Sequence, residues 1–302
     1  MAATIIPSQR LVSLQFSPVF YPFTVRTRRA RSTKNAGFST AGRRLRSHDV
    51  SQPDPIFADA RLAAIYDDVD GPRDDLDHYV AIAEELSAAR VLDVGCGTGS
   101  LACRLALDGT EVIGVDPAQA SLEIARFKPG AEQVSWILGD ATSLDHRISE
   151  AHGGRVDLAV MTGNVAQVFT TDESWHDTLV FVGKMLRAGG HFVFETRDPA
   201  RRAWEAWDTA GVSTTVDTVS GDVETWTSLL DVAAPLVSFR HHYRFTATGE
   251  VVTSDSTLRF RSLDEIDGSL HDAGFRIDEV RDAPDRPGLE FVVFASATSA
   301  GT

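Results

Sequence analysis

Two cysteines in 302 residues, Cys96 and Cys103, are too few for a disulfide framework, and their spacing matches no zinc-ligand pattern. They read as small reduced core residues, and no metal site is expected. Long apolar runs are missing as well. None approaches the ~18–20 residues that a membrane-crossing helix needs, so no membrane partner is expected. Acid is absent from residues 1–48, which carry nine Arg or Lys and many Ser and Thr. An Arg-rich, Ser-rich, acid-poor start is the composition of a transit peptide, and equally of a disordered leader. Residues 1–50 are therefore set apart from the fold. Base is scarce elsewhere: the net charge is −14, and beyond residue 48 there are 20 basic residues against 43 acidic ones. So acidic a body repels phosphate backbones, and nucleic acid is not an expected partner. The expected location is the cytoplasm, or the mitochondrial matrix if the start is a transit peptide.

What is present from about residue 74 is an alternation of helix and strand patterns. "DDLDHYVAIAEEL" puts Leu76, Tyr79, Val80, Ala83 and Leu86 on one helical face. "RVLDV", "TEVIGVD", "QVSWIL", "RVDLAVM" and "GGHFVFET" are five short apolar strands, and "SLACRLALDG", "PAQASLEIARF" and "ESWHDTLVFVGKML" are helices between them. Pro117 sits at the first-turn position that proline tolerates. Near-continuous apolar strands alternating with helices predict a buried parallel sheet with helices on both faces. Residues 211–262 then hold four β-rich runs separated by "SGD", "AAP" and "TGE", an antiparallel meander. A helix ("LDEIDGSLHDAG") and two strands ("FRIDEVRD", "EFVVFAS") close the chain. The expected domains are a leader over 1–50, an α/β core over 51–200, an inserted β cover over 201–262 and the closing elements over 263–302. The fold class is α/β, a Rossmann-like seven-stranded mostly parallel sheet with an inserted antiparallel meander.

The stretch "VLDVGCGTGS" (91–100) places three glycines behind the first strand and before a helix. Glycine removes the Cβ atoms that would hold a ligand away, and the helix start supplies oriented N–H groups. Gly97-x-Gly99-x-x-Ala102 fits a dinucleotide fingerprint, with Asp116 placed to take a ribose hydroxyl. Asp93 at the strand end opposes that reading, because a carboxylate there faces a pyrophosphate unfavourably and suits a cationic ligand better.

"VLDVGCGTG" resembles motif I of class I S-adenosylmethionine-dependent methyltransferases, and the likeness continues through "GVDPA", "GDA" (139–141), "RVDLAVMTGN" and "LRAGGHFVFET". Ala188 departs from the proline that many members carry before the glycine pair. The stretches 160–169 and 194–204 are similar to those of a bacterial subgroup of small-molecule type, which implies no particular acceptor. The resemblance implies S-adenosylmethionine as cofactor. Asp93 would lie near its amino acid head, Asp116 at both ribose hydroxyls, and Asp140 and Ala141 at the adenine. Gly95, Cys96, Gly97, Thr98, Gly99 and Pro117 would form the turn around it, and Met161, Thr162 and Gly163 the wall beside its methionine portion. The expected activity is in-line methyl transfer to a small molecule, driven by proximity and orientation. An NAD(P)-dependent oxidoreductase and a catalytically inactive cofactor-binding protein are the alternatives.

No catalytic constellation is evident. Tyr66 lies in a segment that, by the same resemblance, folds over the cofactor. Glu195 and Arg197 lie at the carboxyl end of the fifth strand, either on the acceptor side or as an ordinary ion pair. Asn164 follows the fourth strand on the same side. In "LVSFRHHYRF", Val237, Phe239, His241, Tyr243 and Phe245 share one face, and Arg240, His242 and Arg244 the other. With Arg259 and Arg261 nearby, that second face either holds an anionic acceptor through Arg240 and His242 or is simply solvated. His241 reads as a half-buried histidine with its partners satisfied.

Overall fold

The computed structural model describes residues 52–142, 144, 154–209 and 212–298. The leader over 1–50 and most of the loop after "GDA" lie outside the described residues. Two helices that the sequence pattern does not announce come first, α1 (Pro55–Ala58) and α2 (Ala60–Asp70). They are followed by α3 (Asp75–Glu85), β1 (Arg90–Val94), α4 (Ser100–Leu107), β2 (Glu111–Asp116), α5 (Gln119–Ala125), β3 (Val134–Leu138), β4 (Val156–Met161), α6 (Asp172–Met185) and β5 (Leu186–Arg197). Pro117 precedes α5 rather than opening it, since the helix starts at Gln119 with Ala118 as its cap.

Seven strands form one sheet in the order β10-β11-β5-β4-β1-β2-β3, where β10 (Phe275–Asp282) and β11 (Glu290–Ala297) are the closing pair. The five strands from β1 to β5 run parallel; β11 is antiparallel to both β5 and β10. The Rossmann-like architecture expected from the sequence is therefore present. Apolar clusters cover both faces. One is centred on Trp175, Phe192, Phe194 and Phe275, the other on Leu76, Tyr79, Val91 and Leu105. β1 lies between β2 and β4, so successive strands leave it in opposite directions and open a crevice at their carboxyl ends.

β6 (Thr214–Thr218), β7 (Gly221–Ala233), β8 (Leu236–Phe245) and β9 (Val251–Arg259) make a separate four-stranded antiparallel sheet, followed by α7 (Leu263–Asp272). Val223 and Tyr243 of this sheet pack with Ile56, Leu62 and Ile65. The Ile56 N–H also donates to the Ser254 hydroxyl at 3.0 Å. The second sheet and the first two helices thus share one small core, placed over the crevice end of the large sheet. Among the described residues no helix is long and apolar enough to cross a membrane.

Candidate functional site

The glycine turn is tied to the sheet by its own backbone. The N–H groups of Gly95 and Cys96 donate to the Val115 carbonyl at 2.8 and 3.1 Å. Gly97 has φ of 53°, and a Cβ there would meet nothing within 4 Å, because that side of the turn faces open space. Gly99 is a different case. A Cβ on it would lie 2.5 Å from the Trp136 ring and 2.8 Å from Ala125 Cβ. Its bareness lets α4 approach β3 and α5, so Gly99 is corrected from a ligand-lining residue to a packing one.

Asp116, nearly buried at the end of β2, accepts from the Gly97 N–H at 2.8 Å and from the Ala118 N–H at 2.7 Å, one bond per oxygen. Each carboxylate oxygen retains capacity for a further donor. Burial raises its pKa, and the two N–H bonds oppose that rise. Asp140 accepts from the Thr142 N–H at 2.8 Å, which fixes the turn after β3. Asp93 is the most deeply buried of these carboxylates. It is 1% exposed, and its Oδ1 has no hydrogen-bond partner among the described residues. Burial, then the neighbouring charge of Asp116, push its pKa up to about 7, against a smaller opposing effect of Arg73. A buried carboxylate left in this state is stabilised by a cation.

These residues border a cavity of about 680 Å³, within the ~300–1,000 Å³ usual for small-molecule sites. Asp93, Gly95, Cys96, Gly97, Thr98, Asp116, Pro117, Asp140, Ala141, Thr162 and Gly163 all reach it. Met161 does not. It is fully buried in the core cluster at the last position of β4, and is corrected to a core residue. Arg73, which no sequence pattern singles out, also borders the cavity and is paired with Asp70 at 3.0 Å and Asp75 at 2.8 Å. It sits in the irregular "GPRDD" link, where no periodicity points inward.

α2 closes over this cavity. Thr98 Oγ1 in the turn donates to Asp67 Oδ1 at 2.6 Å, and Lys128 Nζ bridges Asp67 Oδ2 at 2.7 Å and Ser100 Oγ at 2.7 Å. Tyr66, on the same helix, borders the cavity with its ring 5.5 Å from that of Phe57.

A second cavity of about 470 Å³ adjoins the first and shares Asp54, Phe57, Tyr66, Gly163, Val168 and Ser256 with it. Arg197 borders it, with Nε 3.3 Å from Glu290 and an N–H donated to Gln167 Oε1 at 2.9 Å. Glu195 does not border it. It is buried, accepting from the Tyr79 hydroxyl at 2.5 Å and the Asn164 N–H at 3.1 Å. It is corrected from a catalytic candidate to a support for Asn164. Asn164, at φ 61°, donates its amide to Glu290 at 3.1 Å and borders the second cavity.

The meander meets this cavity with the face opposite to the basic one. Phe239, His241 and Tyr243 line it. Arg240 makes a double hydrogen bond with Asp255, and His242 stacks on Trp226 at 4.7 Å. Arg240 and His242 line neither of these two cavities, while Ser238, Asp255 and Thr257 of the same sheet face border the first. Arg244 pairs with Glu224, Arg259 with Asp172, and buried Arg261 donates to the carbonyls of Ala166, Phe169 and Thr171. His241 Nδ1 lies 2.8 Å from Thr227 Oγ1, and burial depresses its pKa to about 4, leaving the ring neutral.

Residues 91–190 match a family model described as a methyltransferase domain. Over 122 residues the chain is 30% identical to the ubiquinone biosynthesis O-methyltransferase of Pectobacterium atrosepticum, covering 40% of this chain and 48% of that protein. The chain thus spans about half the length of the curated relatives it matches. In structure it is similar to the CcbJ methyltransferase of Streptomyces caelestis, with a TM-score of 0.62 at 24% identity, over 77% of this chain and 93% of that one. It is also similar to S-adenosylmethionine-bound CalS10, an amino pentose methyltransferase of Micromonospora echinaspora, with a TM-score of 0.59 at 21% identity, over 75% and 92% of the two chains.

Proposed function

We propose that this chain, a class I S-adenosylmethionine-dependent methyltransferase by its motifs and its fold, methylates a small molecule seated in the second cavity. The observation that carries the reading is the junction of the two cavities beside Gly163, at the carboxyl end of β4. A donor in the first cavity and an acceptor in the second would meet there.

The residues of the first cavity fit the donor's chemistry. Asp93 offers a cation a buried carboxylate with one oxygen that has no hydrogen-bond partner among the described residues. Gly97 leaves room for a close approach, and Asp116 keeps acceptor capacity for two sugar hydroxyls. Asp140 and Ala141 border the far end, where the base would lie. Bound S-adenosylmethionine supplies a methyl group already activated by its sulfonium charge. The protein's part is then to align the acceptor and exclude water, tasks for Phe57, Tyr66, Phe239 and Tyr243 around the second cavity. The relatives include an O-methyltransferase and an amino pentose methyltransferase, so a small polar acceptor is the reading they support.

A nicotinamide-dependent oxidoreductase has no support here. Beyond β5 the sheet continues with antiparallel β11 and β10 rather than further parallel strands of a second mononucleotide half. Titration calorimetry separates the two. S-adenosylmethionine is expected to bind and NADH not to, and Asp116→Ala is expected to weaken binding by about tenfold or more, the loss of hydrogen bonds to a charged acceptor. NADH binding in preference, or full affinity in Asp116→Ala, would contradict the reading.

A further inference from the structure

We propose that Asp54 anchors the methyl acceptor and takes up its proton, and that the acceptor is an amine arriving as an ammonium ion. The inference rests on the reading that the first cavity holds the methyl donor. Its starting point is where Asp54 spends its hydrogen bonds. It occupies the cap position of α1, where an aspartate normally bonds the first N–H groups through its side chain. Here the side chain makes no capping bond, and the N–H groups of Phe57 and Ala58 go instead to its backbone carbonyl, at 2.9 and 3.1 Å. Ser256 donates one hydrogen bond to the carboxylate, which keeps acceptor capacity for another donor, and Asp54 borders both cavities.

The charges around the second cavity make Asp54 distinctive. Asp70 is paired with Arg73, and Arg197 with Glu290. His241 of β8 is neutral above about pH 4. Asp255 of β9, which borders the first cavity, is held by Arg240. Tyr66 of α2 and Tyr243 of β8 have their pKa values pushed up by burial and stay neutral. Among the described residues bordering this cavity, Asp54 is the charged group without an oppositely charged partner. Phe57, Tyr66, Phe239 and Tyr243 add aromatic rings around it, surfaces that attract a cation. The site therefore favours a positive group and disfavours a carboxylate.

A proton can then move without any further reactant. An N–H bond of the ammonium breaks, its proton joins an Asp54 carboxylate oxygen, and the electron pair stays on nitrogen. The products are a neutral amine, ready to attack, and a neutral carboxyl group that returns its proton to solvent. Burial holds the Asp54 carboxyl above its ordinary range, with the charge of Asp255 adding to the rise and a hydrogen bond from Ser256 opposing it. That direction favours proton uptake.

The test uses three probes of one carbon skeleton: 2-phenylethylamine, 2-phenylethanol and phenylacetate. Each is titrated into the full chain saturated with S-adenosylhomocysteine, whose neutral sulfur leaves the cation-binding groups free. The amine is expected to bind about tenfold or more tighter than the alcohol, with the acid weakest. D54N is expected to lower amine affinity by about tenfold, leaving alcohol and S-adenosylhomocysteine affinities within about twofold. Preference for the alcohol or acid, no binding of any probe, or an unchanged amine preference in D54N overturns the proposal. Failure of S-adenosylhomocysteine to bind at all overturns the methyltransferase reading beneath it, which separates the two. Should D54N not fold, Ser256→Ala is read in its place. Losing that hydrogen bond is expected to shift the lower limit of amine binding to higher pH, and an unmoved limit counts against the proposal.

Discussion

Asp93 concentrates the chemistry of the first cavity in one side chain. Its folded-state pKa of about 7 lies above the ordinary 3.8, so the folded protein holds this proton more tightly than the unfolded chain. The sign follows: the stability it contributes is fully present below about pH 4 and is lost as the pH rises through about 7. A bound cation reverses the preference by favouring the ionised form. S-adenosylmethionine binding is therefore expected to release a proton near neutral pH, and its affinity to fall by up to about tenfold per unit as the pH drops below 7. Calorimetry in buffers of different ionisation enthalpy measures that release, and Asp93→Asn should abolish it. A pH-independent affinity in the unaltered protein would contradict the assignment. The sequence made Asp93 and Asp116 legible because each ends a strand within a recognisable string. It missed Asp54 and Arg73, which sit in irregular links and reach the cavities only through the three-dimensional path of the chain.

Among the elements, α2 has the clearest mechanical role. Asp67 is its latch to the glycine turn, gripping Thr98 and Lys128 at 2.6 and 2.7 Å. Asp67→Ala removes both contacts while leaving Leu62 and Ile65 in their small core. The expected result is faster release of S-adenosylhomocysteine, by about tenfold in a stopped-flow displacement, with a smaller change in association. An unchanged release rate would mean that α2 does not retain the ligand. The helix itself escaped sequence reading because α1 has only four residues and the pattern of α2 is interrupted by acids. β8 failed differently. Its two-residue period correctly sorted Phe239, His241 and Tyr243 from Arg240 and His242. Alternation does not say which face meets which cavity: Phe239, His241 and Tyr243 border the second, and Ser238 on the other face borders the first. Met161 was a similar error: a core residue and a cavity residue are one position apart at the end of β4.

The complete assembly followed from local signals wherever burial dictated composition. Each of β1, β2 and β4 is apolar because it is covered on both faces, so the order of strands and helices could be read directly. The candidate site was legible only around the first cavity, where backbone requirements write glycine into the turn. The second cavity is assembled from α1, α2, the turn after β4, β5 and the second sheet, and no local pattern encodes such a meeting. One claim joins the two halves: the glycine turn and its carboxylates hold the methyl donor with its reactive end toward the second cavity. A crystal structure of the protein with S-adenosylhomocysteine tests it most directly. The account predicts both ribose hydroxyls within hydrogen-bond distance of Asp116 and the sulfur facing Gly163. A nucleoside bound away from Asp116, or a sulfur turned from the second cavity, would contradict it.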